Sequence, residues 1–360
     1  MNRSVLNNIT VATKIQNIYD RIGWNITRGD LGSLLSVTSR SVEQFKARVT
    51  AVVEKNPDFE KIIDQYWYNL IYSGNKITKI YSFKGRRAEL VEIKDYLYSS
   101  ERRPNVSYWD AFPYPLDNSD LLACDNIQRF HSIKEYALDD RKVDVALFLS
   151  AEKYTATFDV EPSHLSESGR ALLENSVEII YRQRAVTQCY NVVIIDIENE
   201  TLMLSVDFTK LPRTETSKQF AGLGRRIRRS GISLGEPINL FPAISKLYST
   251  DDGRISMVSF ITSDGNASSL NLKADQTCLN SDAYHHGGEM ASGIITNFKI
   301  EKLWNVELKG GNQGAIGVAL LGKKAMLDMV SEKLSDAIII DTTVLRHKMF
   351  IIDRLMEALE

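Results

Sequence analysis

Cysteine is scarce in this chain: three in 360 residues, Cys124, Cys189 and Cys278, none close to another. That spacing excludes a disulfide framework and a cysteine-based zinc motif, and it suits a reducing compartment. Five histidines and eight prolines are also few. No apolar run approaches the ~18 residues that a membrane helix requires, so no membrane association is expected. The opening MNRSVLNNIT lacks the apolar core of a secretory signal, and a cytoplasmic protein is expected. There is no internal repeat and no low-complexity tract. Neither a P-loop nor a dinucleotide fingerprint is present, so no cofactor and no resident metal are expected.

What remains is ordinary for a globular chain: 43% apolar and 25% charged residues. The length suits two domains, or three. The net charge of −2 hides an asymmetry. Residues 1–103 carry 17 Lys and Arg against 11 Asp and Glu, and the remainder carries 27 against 35. A basic head on an acidic body suits a module that faces a polyanion.

The head has helical periodicity. Val11, Ile15, Ile18, Tyr19 and Ile22 predict a helix over 10–22, ended by Gly23. Residues 27–47, TRGDLGSLLSVTSRSVEQFKA, then read as two short helices around a tight turn. Leu31, Leu34 and Leu35 form one apolar face, Val42, Phe45 and Val49 another, with Val37 between. Thr27 or Asp30 is the expected cap of the first helix, and Thr38 or Ser39 of the second. Gly32 stands where a side chain would hold two crossing helices apart.

On these residues the stretch resembles the DNA-binding helix-turn-helix of bacterial and phage regulators. The matching positions are Leu31, Gly32, Leu35, Val37, Val42 and Phe45. Ser36 departs from the glycine usual in the family, at a position that often needs a left-handed backbone. The resemblance covers about a quarter of the chain at most and implies a second helix that enters the major groove by its N-terminal end. Ser39, Arg40, Ser41, Gln44 and Arg48 are then the expected DNA contacts, since Arg pairs with guanine and Gln with adenine. The partner is double-stranded DNA, and a homodimer is expected because one short helix offers few base contacts.

Residues 66–85, aromatic and β-branched on both sides of Ser73-Gly74-Asn75-Lys76, read as a hairpin. After a helix-turn-helix a hairpin is a wing, which would set Lys76, Lys79, Lys84, Arg86 and Arg87 against phosphate. The expected organisation is α+β: a winged helix-turn-helix-like domain over 1–99, an aromatic linker over 100–120, and a larger mixed domain with antiparallel hairpins over 121–360. The linker aromatics Tyr108, Trp109, Phe112 and Tyr114 are expected to lie against a domain. In the body, 121–138 and 167–184 read as helices, 143–149 and 154–160 as strands, and 191–208 and 254–273 as strand pairs.

Three further groups invite chemistry. Lys218 with Arg225, Arg226, Arg228 and Arg229 is the densest basic cluster and suits phosphate, although an ion-paired surface is the plainer reading. Asp282, His285, His286 and Glu289 are of types that ligate metal or act as general bases, against the plainer reading of a loop with local hydrogen bonds. The glycine-rich 310–317 reads as a turn entering a strand, and Asp196, Glu198 and Asp207 as solvent-facing turn acids. A DNA-binding transcriptional regulator with a sensing, dimerisation or partner-binding body is the leading expectation. The alternatives are a nucleic-acid- or nucleotide-processing enzyme of a phage or defence system, metal-dependent nuclease included, and a protein–protein assembly component.

Overall fold

The computed structural model describes residues 9–100, 108–159, 165–173, 180–272, 278–279, 287, 295–328 and 333–360. Helix α1 (Val11–Ile26) starts where the Thr10 side chain accepts from Thr13 N at 3.2 Å. Its Ile15, Ile18 and Ile22 are buried as the spacing predicts. The helical backbone breaks at Gly23, as the sequence predicts. With φ of 73° that residue turns the chain, and helical structure resumes through a π-helical turn (Thr27–Leu31) into α2 (Gly32–Leu34). Then come α3 (Val42–Lys55), α4 (Asp58–Ser73), β1 (Lys76–Ser82) and α5 (Arg87–Ser99).

The expected wing is not formed. Residues 66–73 belong to α4, and 76–82 pair with distant strands instead of folding back on them. The aromatic run satisfies two periods at once. Tyr66, Trp67, Leu70 and Ile71 recur at helical spacing and are buried on one side of α4, and that burial outweighs β propensity.

Helices α6 (Tyr108–Ala111) and α7 (Asn118–Ala123) lead to β2 (Arg129–Ala137) and β3 (Lys142–Asp159). The helix expected over 121–138 is therefore mostly strand, and the two strands expected over 143–160 are one. Tyr108 and Tyr114 are buried, Tyr114 stacks on Trp67 at 5.5 Å, and Phe112 stacks on His131. Of the helix expected over 167–184, α8 (Glu167–Leu173) is helical, whereas 180–184 belong to β4 (Ile180–Asp196), which pairs with β3 from Asp144 to Asp159. β5 (Thr201–Asp207) completes the predicted hairpin. α9 (Thr216–Ile227), extended by a 3₁₀ turn over Arg228–Ser230, and α10 (Ala243–Ser249) precede β6 (Arg254–Thr262), β7 (Ala267–Asn271), β8 (Ile295–Glu307) and β9 (Gln313–Leu321). α11 (Ala325–Asp328), β10 (Ala337–Ile340) and α12 (Leu345–Glu357) finish the chain.

Ten strands among the described residues form one sheet, ordered β2-β3-β4-β5-β1-β10-β9-β8-β6-β7, with every recorded pairing antiparallel. The α+β class and the antiparallel hairpins are as expected. The head supplies the central strand: β1 closes the sheet between β5 and β10.

Alternation along the strands gives each face its own core. Ile77 and Tyr81 of β1, with Val193 and Ile195 of β4, pack against Leu90 and Ile93 of α5 and Phe220, Leu223 and Ile227 of α9. Ile80, Val192 and Ile194 face the opposite way, into the core shared with α1, α3, α4 and α12.

A buried ionic cluster ties α1 to that second face. Arg21 contacts Asp207 at 2.5 Å, and Lys76 stands directly across from Asp207 in the β1–β5 register. The Arg21 guanidinium lies over the rings of Trp67 at 5.1 Å and Tyr190 at 4.7 Å. The Lys76 ammonium donates to the Tyr190 carbonyl at 2.6 Å. Burial raises the Asp207 pKa, but Arg21 and Lys76 together overcome it and hold the carboxyl well below its ordinary range. Burial pulls Lys76 down to about 8 against the attraction of Asp207. Lys348 of α12 is also fully buried, and its Nζ has no hydrogen-bond partner among the described residues. Burial, with repulsion from Lys76, pushes its pKa well below the usual lysine value.

Two stability predictions follow from these charges. Asp207→Asn leaves Arg21 and Lys76 buried without their anion and is expected to cost about 3–5 kcal/mol in urea unfolding at pH 7. In the parent, the contribution of Asp207 is present above the ordinary carboxylate value of about 3.9 and is lost as pH falls towards the depressed folded value. An unchanged unfolding midpoint in Asp207→Asn at pH 7 contradicts the cluster's role. Lys348 gives a slope of the same sign in a more alkaline window: between its depressed folded value and about 10.4 the unfolded state holds the extra proton, so stability again rises with pH. Lys348→Met is expected to raise the midpoint at pH 7 and to flatten that rise. A lower midpoint would show that the amine has a partner.

Candidate nucleic-acid interface

The helix pair around residue 36 owes its shape to three residues. A Cβ on Gly32 would sit 2.7 Å from the Val37 carbonyl oxygen and 3.4 Å from the Phe45 ring, so only glycine lets the turn close. Val37 N donates to Gly32 O at 2.8 Å. Ser36 has φ of 53°, the left-handed conformation expected at that position. The cap of α3 is Ser41, not Thr38 or Ser39: its hydroxyl accepts from Gln44 N at 3.3 Å. Thr27 and Asp30, expected as caps, lie inside the continuous helical run and have other work. Asp30 is buried and accepts from Tyr66 Oη at 3.0 Å and from Gly310 N at 3.0 Å.

That last bond explains the glycine-rich segment. A Cβ on Gly310 would come within 2.6 Å of the Ser33 side chain. Ser33 Oγ donates to Gly310 O at 3.0 Å, and Asn312 Nδ2 donates to Gly29 O at 2.9 Å. The β8–β9 turn thus docks on the first helix of the pair, which leaves the start of α3 on the outside.

Of the five expected base readers, Ser39 is buried and Arg40, Ser41, Gln44 and Arg48 are exposed. Several already serve the turn. Gln44 Oε1 accepts from Ser39 Oγ at 3.1 Å and from Arg40 N at 3.2 Å, and the Arg48 guanidinium donates to Thr38 O. The Arg40 side chain has no partner among the described residues and projects from a turn that its neighbours hold in place.

The wing cations are dispersed by the loss of the hairpin. Lys76 is fully buried and has no surface to offer a duplex, which corrects its place among the contacts. Lys79 is half-buried with its ammonium 4.9 Å from the Phe220 ring centre. Arg86 pairs with Glu89 and donates to Ser233 O at 2.8 Å. Lys84 and Arg87 are exposed. Lys79 and Arg86 therefore join the α5/α9 side of the sheet and not the side that carries α3.

On the α5/α9 side the basic cluster lies on α9 and its 3₁₀ extension. Lys218, Arg225, Arg226 and Arg229 line a 660 Å³ groove closed by Asn126, Ile127, Gln128 and Glu152, while Arg228 points elsewhere, near Tyr81. Lys218 contacts Glu215 at 2.6 Å, and Arg226 Nε donates to Gln128 O at 2.9 Å. For Arg225, Arg228 and Arg229 no carboxylate partner occurs among the described residues.

Two of the three turn acids are not solvent-facing as expected. Asp196 is buried and bonded to Arg141 at 2.8 Å, and Asp207 belongs to the ionic cluster. Asp196 pairs with Thr201, six residues from Asp207 on β5, so the two do not form one site. Glu198 is exposed. Asp282, His285, His286 and Glu289 lie outside the described residues. Sequence reasoning missed the polar 340 Å³ cavity beside the ionic cluster, lined by Arg21, Trp67, Gln188 and Asp207 among others. Its parts are dispersed along the chain, and no local pattern marks them.

Among the described residues no helix is long and apolar enough to cross a membrane. Comparison with protein-family models and with curated proteins finds no match to the chain.

The turn gives opposite expectations for its two small residues. Gly32→Ala presses a methyl onto a backbone oxygen and is expected to cost about 1–3 kcal/mol. Ser36→Gly relieves a left-handed conformation and is expected to be neutral or stabilising by up to about 1 kcal/mol. Thermal melts of both variants decide it, and destabilisation by Ser36→Gly would contradict the turn geometry.

Proposed function

We propose that this protein is a DNA-binding regulator that contacts double-stranded DNA through the first turn of α3, acting as a homodimer whose body receives a ligand or partner. The observation that carries the reading is the exposed N-terminal end of α3, with Arg40 exposed on a turn held by Ser39, Gln44 and Arg48. Gly32 and Ser36 support it, because they meet the stereochemical needs of a helix-turn-helix. So does the docking of the first helix through Asp30 and Gly310, which fixes the tip on the body and reduces the ordering cost of binding. Arg28 and Arg48 are exposed on the same helix pair and suit backbone phosphate, where cations position a protein without reading sequence. A two-fold dimer doubles the few contacts one short helix makes and sets the spacing of two half-sites.

Selection from a random duplex library, followed by fluorescence anisotropy, tests this reading. Arg40→Ala is expected to weaken the selected site by about 1–3 kcal/mol if the guanidinium pairs with a base. Arg28→Ala is expected to weaken all duplexes alike and to flatten the salt dependence. Light scattering on the complex should give two chains per duplex. Duplex affinity that Arg40→Glu leaves unchanged would sink the proposal.

A further inference from the structure

The groove on α9 has no part in that contact, since it lies on the opposite side of the sheet. Its construction is specific. Lys218, Arg225 and Arg229 recur on one side of α9 and its extension, with Ala221 and Gly222 between them. Gly222 is required there: a Cβ would sit 2.9 Å from Gln128 Cγ. That close approach lets the chain before β2 form the opposite wall. Gln128 is held from three sides, donating to Ser150 Oγ at 3.2 Å and accepting from Asn191 at 3.0 Å and, through its carbonyl oxygen, from Arg226. The wall and one arginine are thus fixed before any ligand arrives, which limits the entropy cost of binding.

The charges are arranged unequally. Arg225 and Arg229 are exposed, and no acidic partner for either occurs among the described residues. Planar guanidinium groups grip phosphate oxygens in pairs. Glu152 enters from β3 and is half-buried, and burial holds its carboxyl above the ordinary value. A carboxylate beside a row of cations is unfavourable for a bare polyphosphate. It suits a ligand that brings a hydrogen-bond donor together with its phosphates. Ile127, 48% exposed, and Ala221 add apolar surface. The volume falls in the ~300–1,000 Å³ range of small-molecule sites.

We infer that the α9 groove binds a nucleotide, with Lys218, Arg225, Arg226 and Arg229 on its phosphates and Glu152 accepting from a sugar hydroxyl or base amine.

Isothermal titration of the full chain with ATP, GTP, CTP and UTP in turn, at low salt, tests the inference. At least one is expected to bind saturably. The Arg225→Ala, Arg229→Ala double variant is expected to lose at least about tenfold in affinity, the loss of one charge-assisted contact or more. Both sites are exposed, and matching thermal melts of the double variant and the parent verify the fold. Glu152→Gln is expected to weaken the nucleotide relative to inorganic triphosphate. An equal effect on both overturns the assignment of the nucleoside end. Absence of saturable binding by all four nucleotides overturns the inference, as does unchanged affinity in the double variant. A single-stranded 20-mer that binds where no mononucleotide does would assign the groove to nucleic acid instead. Duplex binding through α3 should be unaffected by the α9 substitutions, so this inference and the DNA reading fail separately.

Discussion

The contact between Arg21 and Asp207 holds the architecture together. A carboxylate and a guanidinium removed from water are each costly, and each becomes tolerable only in the presence of the other. The pair joins the first helix to the last residue of β5. Asp207 also accepts from Tyr190 N at 3.1 Å, and its own N–H donates to Asn191. Lys76 sits opposite Asp207 in the register and adds a second cation. That arrangement fixes how β1 lies against β5. A slip of one residue would turn Lys76 to the α5/α9 face and carry Ile77 and Tyr81 out of their core. Packing on both faces of the sheet thus depends on one charged contact at its centre.

The head is consequently part of the body. β1 closes the sheet between β5 and β10, and α1, α3 and α4 share a core with the strands below them. The first helix of the pair is bound a second time, through Asp30 to Tyr66 and to the backbone of Gly310. The end of α3 has a fixed direction on the molecule. The basic groove of α9 has its own fixed direction, with the sheet between them. The start of α3 and the groove of α9 therefore stand on opposite sides, each braced by its own hydrogen bonds.

Much of the local structure was legible. The helix pair, the need for glycine at 32 and a left-handed backbone at 36, the hairpins β4–β5 and β6–β7, and the packing of Tyr108, Phe112 and Tyr114 follow from spacing, turn chemistry and composition. The failures share a cause. Residues 66–73 fit helical and strand periods equally, and only the neighbours that bury Tyr66, Trp67, Leu70 and Ile71 choose between them. Residues 180–184 read as helix until β3 supplies the partner for their backbone. Of the basic groups, the α9 cluster was visible as a run, but its groove required Gln128 and Glu152 from two other elements.

The sequence by itself determined the α+β class, the turn between α2 and α3, and which residues carry charge. Those properties depend on neighbours a few positions apart. The tertiary structure decided which charges are exposed. Lys76 and Arg40 are both cations of the basic head, yet one is sealed opposite Asp207 and the other stands in solvent. That difference comes from contacts more than a hundred residues away in the chain, and a short window of sequence holds no trace of them.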